Sequence, residues 1–120
     1  MKTVYLAGRI SGDPQYRKKF FRAACELTAA GFDVVNPATL PPRGFQYAAY
    51  IRMSTAMLDE CSSVCFLSDW RDSPGAVHEF NRAKLCGKEF FFFEEWRGKL
   101  AAAAKAGAEG AAQNALQYAT

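Results

Sequence analysis

Val64-Cys65-Phe66-Leu67-Ser68-Asp69-Trp70-Arg71-Asp72-Ser73-Pro74-Gly75-Ala76-Val77-His78-Glu79 is the stretch from which the fold is read. Its first four residues are apolar and read as a buried strand. Ser73 then stands as N-cap and Pro74 as the first helical residue, so the strand passes through a short turn into a helix. Gly75 and Ala76 keep side chains away from the helix start, where a ligand can approach the backbone. Glu79 follows one turn further in, with Ala76 and Ala83 at i−3 and i+4 on its own face. A carboxylate beside two small residues near a strand end reads as facing a reserved cavity; the competing reading is a surface glutamate on an amphipathic helix.

On either side of this stretch the same alternation continues. Lys2–Ala7 is rich in β-formers and ends at Gly8, which predicts strand one. Gly8–Asp13 is a glycine-bracketed turn, and Asp13 and Pro14 open a helix marked by Tyr16, Phe20, Ala24 and Leu27 and closed by Gly31. Phe32–Asn36 is strand two, and residues 37–46, with three prolines and a glycine, are a loop. A helix over 47–60 carries Tyr50, Ile51, Ser54, Leu58 and Cys61 on its inner face. Strand three is Val64–Leu67, the third helix Pro74–Cys86 is closed by Gly87, and Phe90–Phe93 is strand four, read as covered on both faces. From Gly98 the chain turns alanine-rich and predicts one or two weak helices, Lys99–Lys105 and Ala111–Ala119, broken at Gly107 and Gly110. The expected organisation is one domain over 1–97 with 98–120 as its helical tail.

Alternating strands and helices predict an α/β protein, a parallel sheet of four to five strands with helices on both faces. With strand order 2-1-3-4, ligands bind beyond the strand carboxyl ends between strands one and three. The walls there are Gly8–Asp13 and Ser68–Glu79, which strengthens Glu79 as a site residue. Gly8, Arg9, Ile10, Ser11 and Gly12 form a candidate phosphate cradle of backbone N–H groups, a hydroxyl and a charge. It is neither a Walker A loop nor GxGxxG, and taken alone it is better explained as an ordinary βα turn. Ser73 offers a second phosphate contact or simply a cap. Tyr5 reaches the crevice only if its hydroxyl emerges near the strand end. Trp70 either stacks on a ring or shields the core. His78 points about 100° away from Glu79 and is a weak candidate base.

The chain has 120 residues, half of them hydrophobic and 22% charged, which suits a folded domain and excludes a disordered one. The net charge of +3 and the short run Arg17-Lys18-Lys19, read as a solvated helix face, give no patch for nucleic acid or membrane. No apolar run is long enough to span a bilayer, and the N-terminus enters a strand with no signal-peptide core. Cys25, Cys61, Cys65 and Cys86 form no CxxC pair, and His78 is the single histidine. The expectation is no metal, with reduced, mostly buried thiols in a cytoplasmic protein.

Tyr5-Leu6-Ala7-Gly8, Ile10-Ser11-Gly12, Asn36-Pro37, Leu58–Val64, and Ser73-x-Gly75-Ala76-x-x-Glu79 with Ala83 resemble the nucleoside 2-deoxyribosyltransferase superfamily, over about residues 3–90. The resemblance implies a flavodoxin-like three-layer sandwich that cleaves an N-glycosidic bond, with no cofactor. Glu79 would attack the anomeric carbon, Tyr5 would orient it, and water or a second base would resolve the glycosyl-enzyme. The family's transferases carry aspartate where this chain has Ser73. Its hydrolases of nucleoside 5′-monophosphates carry a phosphate-binding serine there and a Gly-Ser-Ile-Arg-Gly turn, similar to Gly8-Arg9-Ile10-Ser11-Gly12. The implied substrate is therefore a nucleotide rather than a nucleoside, and the implied assembly a homodimer or higher homo-oligomer.

One departure stands out. The family places an aspartate on the second helix to assist the leaving base, and this chain has Ser54. Either Asp69 or Asp72 substitutes, or the base leaves without strong protonation, or the chain binds nucleotide without turnover. The expected site is thus Glu79, Tyr5 and Asp69 in catalysis, with Gly8, Arg9, Ile10, Ser11, Gly12, Ser54, Trp70, Ser73, Gly75 and Ala76 around the substrate.

Overall fold

The structure, a computed structural model, describes residues 2–119, with side chains through residue 107. Four strands, β1 (Thr3–Ala7), β2 (Asp33–Val35), β3 (Ser63–Phe66) and β4 (Glu89–Phe92), pair in parallel in the order β2-β1-β3-β4. The helices are α1 (Tyr16–Ala29), α2 (Tyr47–Glu60), α3 (Pro74–Leu85) and α4 (Phe93–Ala119). This is the expected α/β architecture, a flavodoxin-like sandwich.

The period-2 alternation of β1 divides the core between the two faces. Val4 and Leu6 pack with Phe20, Ala23 and Leu27 of α1 and with Phe93, and Trp96 of α4 lies against the same cluster. Tyr5 and Ala7 point the other way, into a cluster with Leu58 of α2 and Ala76 and Ala83 of α3. The helices therefore sit in pairs, α1 with α4 and α2 with α3, and Tyr5 faces the second pair.

Several local expectations are corrected. Asp13 and Pro14 form a turn before α1 rather than its first residues, because the Asp13 carboxylate accepts from the Gln15 N–H (2.9 Å) and closes a local ring. Residues 37–39 form a 3-10 turn capped by Asn36, whose side chain accepts from the Ala38 N–H (2.9 Å). Trp70–Asp72 adds another 3-10 turn ahead of α3. β4 is an edge strand, so Phe90 is 38% exposed rather than covered on both faces. The cysteines are free, but Cys25 and Cys86 are exposed while Cys61 and Cys65 are buried.

The alanine-rich tail belongs to a single helix that begins at Phe93, so the boundary expected at residue 98 falls inside α4. Its glycines do not break it: each costs about 1 kcal/mol against alanine, and the surrounding alanines are the strongest helix formers. Phe93 and Trp96 anchor its first turn on the core, while residues 98–107 are exposed. Among the described residues no helix is long and apolar enough to cross a membrane.

Candidate active site

The sheet's order reverses at β1, and the loops leaving β1 and β3 diverge beyond Ala7 and Phe66, which are paired. Between these loops, the N-terminal half of α2 and the first turns of α3 lies a cavity of about 580 Å³. That size falls within the ~300–1,000 Å³ of small-molecule sites.

α3 carries Glu79 into this cavity. The residue is only 8% exposed, and its Oε2 is buried with no hydrogen-bond partner in the protein. Burial pushes its pKa up to about 7, while a hydrogen bond from Tyr5 pulls the other way. Tyr5 arrives from the middle of β1 and is itself buried. Burial first, then the neighbouring Glu79 carboxylate, holds its phenol well above the usual range, with Ser54 opposing in part. A buried acceptor with no partner is uncommon and costly; Glu26 Oε2 is a second one, but only that of Glu79 belongs to a residue lining the cavity.

The opposite wall comes from the turn after β1 and the start of α3. Gly8, Ile10 and Ser11 line one side, and Ser73, Gly75 and Ala76 the other. Ser73 caps α3, its Oγ accepting from the Ala76 N–H (3.2 Å), which leaves its own proton for a ligand. Ser54 also lines the cavity, but its hydroxyl donates back to the Ile51 carbonyl (3.1 Å). Asp72 stands beside Ser73 as the second lining carboxyl group. Ala83, the other small neighbour of Glu79, is packed in the core and serves the seating of α3 on the sheet.

Four residues expected at the site lie outside the cavity lining. Trp70 is part of the core, its ring 4.6 Å from that of Phe80 and 5.3 Å from that of Phe66. Asp69 is a brace: its Oδ1 accepts from the Arg9 N–H (3.1 Å) and its Oδ2 pairs with Lys19. Arg9 folds back so that its Nε donates to the Ser11 carbonyl (3.2 Å). Gly12 supplies the turn itself, at φ 79°, and a Cβ there would lie 2.9 Å from the Arg9 guanidinium. Gly8 has a related constraint, because a Cβ would lie 3.0 Å from the Cβ of Leu67. His78 is exposed and away from the lining residues.

Lys19, expected on a solvated face, instead ties the site together. Its ammonium donates to Asp13 (2.6 Å) and to the Arg9 carbonyl (2.9 Å) and pairs with Asp69, so one cation joins the turn after β1 to the turn after β3. Lys19→Met is expected to lower stability by roughly 1–2 kcal/mol, because these contacts are partly solvated. Amide hydrogen exchange at Arg9 should accelerate with it. An unchanged Arg9 exchange rate would show that the loop holds without the clamp.

The structure also adds residues that sequence reasoning passed over. Leu40, Pro41 and Pro42 after β2, with Tyr47, Tyr50 and Ile51 of α2, make an apolar and aromatic wall. In the sequence the proline-rich run signals only a loop. Its place after a strand's carboxyl end, at a sheet whose order reverses there, was the available signal. Among the described residues no cluster of three or more His, Cys, Asp or Glu has the arrangement of a metal site.

Residues 2–92 match the family model described as "Domain of unknown function (DUF4406)". No curated protein matches the chain.

Proposed function

We propose that this chain, which belongs to the DUF4406 family, is an enzyme that cleaves the N-glycosidic bond of a nucleoside 5′-monophosphate, releasing free base and sugar phosphate. The observation that carries this is the Glu79 carboxylate, buried beside Tyr5 with an unpartnered oxygen at the floor of a cavity of about 580 Å³. The resemblance of Ser73-x-Gly75-Ala76-x-x-Glu79 to nucleoside 2-deoxyribosyltransferases gives that carboxylate its role.

Glu79 attacks the anomeric carbon, the bond to the base breaks, and a glycosyl ester forms on the carboxylate. Water then attacks the same carbon and Glu79 leaves as carboxylate. Tyr5 steadies the negative charge that Glu79 gives up and regains. The 5′-phosphate lies between Ser11 and Ser73, facing the α3 N-terminus, where the Gly75 N–H and the helix dipole favour an anion.

A second reading follows from one observation: no cationic side chain lines the cavity among the described residues, since Arg9 turns back onto its own loop. This favours a nucleoside as substrate, with a second base rather than water as acceptor. The two separate in one experiment. Purified protein is incubated with matched nucleosides and 5′-monophosphates, with and without a second free base, and released base is measured chromatographically. Base release confined to monophosphates, weakened about 10-fold or more by Ser73→Ala, is the expected result. Release from nucleosides only when a second base is present would establish base exchange. No release from any compound would refute both.

A further inference from the structure

We propose that the site is built for a weakly basic leaving group, an electron-poor pyrimidine held by apolar and aromatic contact rather than by hydrogen bonds to its edge. This deepens the glycosidase reading and rests on it.

Three observations carry the inference. First, the wall of Leu40, Pro41, Pro42, Tyr47, Tyr50 and Ile51, to which we assign the base, has no amide, carboxyl, imidazole or guanidinium side chain with which to read one. Second, two of the hydroxyls on this side are already engaged, that of Tyr50 donating to the Pro41 carbonyl (2.5 Å) and that of Ser54 to the Ile51 carbonyl (3.1 Å), which leaves the Tyr47 hydroxyl, beside Gly75, as a weakly acidic phenol. Third, the carboxyl groups among the described lining residues are Glu79, committed to attack, and Asp72, which belongs to the turn before α3 and not to α2. The α2 wall therefore delivers no carboxylic acid proton to the departing nitrogen.

When Glu79 bonds to the anomeric carbon, the carbon–nitrogen bond breaks and its electron pair leaves on the base. With no carboxylic acid on the α2 side, that pair remains on nitrogen until water supplies a proton. The barrier then follows the stability of the base anion. Pyrimidine-2,4-diones bear such a charge on their ring carbonyls, whereas purines ordinarily depart after protonation, so purine nucleotides are disfavoured.

The test is a leaving-group series at constant sugar phosphate: dTMP, dUMP, 5-bromo-dUMP and 5-fluoro-dUMP, with dAMP and dGMP beside them. Expected is a steep rise in kcat/KM as the leaving pyrimidine becomes more acidic, at least about 10-fold from dTMP to 5-fluoro-dUMP, with both purines slowest. Ser54→Asp should flatten this dependence by accelerating the poor leaving groups, since general acid help is worth ~10²–10⁴-fold. A flat series in the unaltered chain, or fast purines, would overturn the inference while leaving the glycosidase reading intact. So would an Asp72→Asn variant that slows only the poor leaving groups, because Asp72 would then be the acid. Absence of release from every member, in both the unaltered chain and Ser54→Asp, would refute the glycosidase reading itself.

Discussion

Replacing Glu79 with glutamine is expected to remove turnover and, above neutral pH, to stabilise the fold. A neutral amide cannot form the glycosyl ester, and loss of a nucleophile typically costs on the order of 10⁴-fold or more in rate. The stability effect has a definite sign. The Glu79 pKa is raised to about 7 in the folded chain from an ordinary 4.5. A raised value means that the carboxyl favours the folded state while protonated. That contribution is complete below pH 4.5 and is lost as pH rises through 7, about 3 kcal/mol in all. Asp13, Asp59 and Glu89 are shifted downward by Lys19, Arg82 and Lys2 respectively, so their contributions change only at more acidic pH. Denaturant unfolding at pH 5 and pH 8 on both proteins therefore isolates Glu79. The unaltered chain should lose about 2.5 kcal/mol between the two, and the variant should lose none of that increment. Parallel losses in both proteins would show that Glu79 is not the buried carboxylate with a raised pKa described. The position is costly where it would be active, as expected of a functional rather than a structural residue.

Tyr5→Phe should shift the pH dependence of the reaction upward. As nucleophile Glu79 must be ionised, so kcat/KM should rise with pH through about 7. The Tyr5 hydrogen bond lowers the Glu79 pKa against the pull of burial. Removing it moves the rise to higher pH. A hydrogen bond to a charged group is worth ~1.5–3 kcal/mol, equivalent to about one to two pH units, so activity below pH 7 should fall about 10- to 100-fold. At sufficiently alkaline pH the variant should recover most of that loss. A uniform loss at every pH would mean that Tyr5 orients Glu79 without tuning it. Tyr5 is buried on the α2–α3 face of the sheet and lines the same cavity as Glu79.

Much of the fold was legible because its signals are local. Glycine-closed helices, β-rich runs and the Ser73-Pro74 cap each act within a few residues, and the alternation of strand and helix left little freedom in topology. The same locality made Glu79, Ser11, Ser73, Gly75 and Ala76 readable as neighbours of one crevice. Ser73 was ambiguous between cap and ligand contact, and it caps α3 while lining the cavity. Local signals also misled. Lys19 belongs to a basic run that reads as solvated, yet three oxygen partners from two separate loops converge on it. Asp69 sits in the most distinctive stretch of the chain and braces Arg9 and Lys19 instead of entering the cavity.

By itself the sequence determined the element order, the strand and helix faces, and the placing of a carboxylate one turn into a helix after a central strand. These depend on periodicities of 2 and 3.6 residues, which are properties of the local backbone. Only the tertiary structure decided which side chains share the cavity, because that depends on where elements far apart in the chain come to rest. It brought the 40–42 loop and Tyr47 across to Glu79. It turned Trp70 into the core, against the rings of Phe66, Phe80 and Phe92. It also left Glu79 Oε2 without a partner. A buried carboxylate lining a cavity is the clearest functional mark on the molecule, since burial is a property of everything packed around a group and of no residue alone.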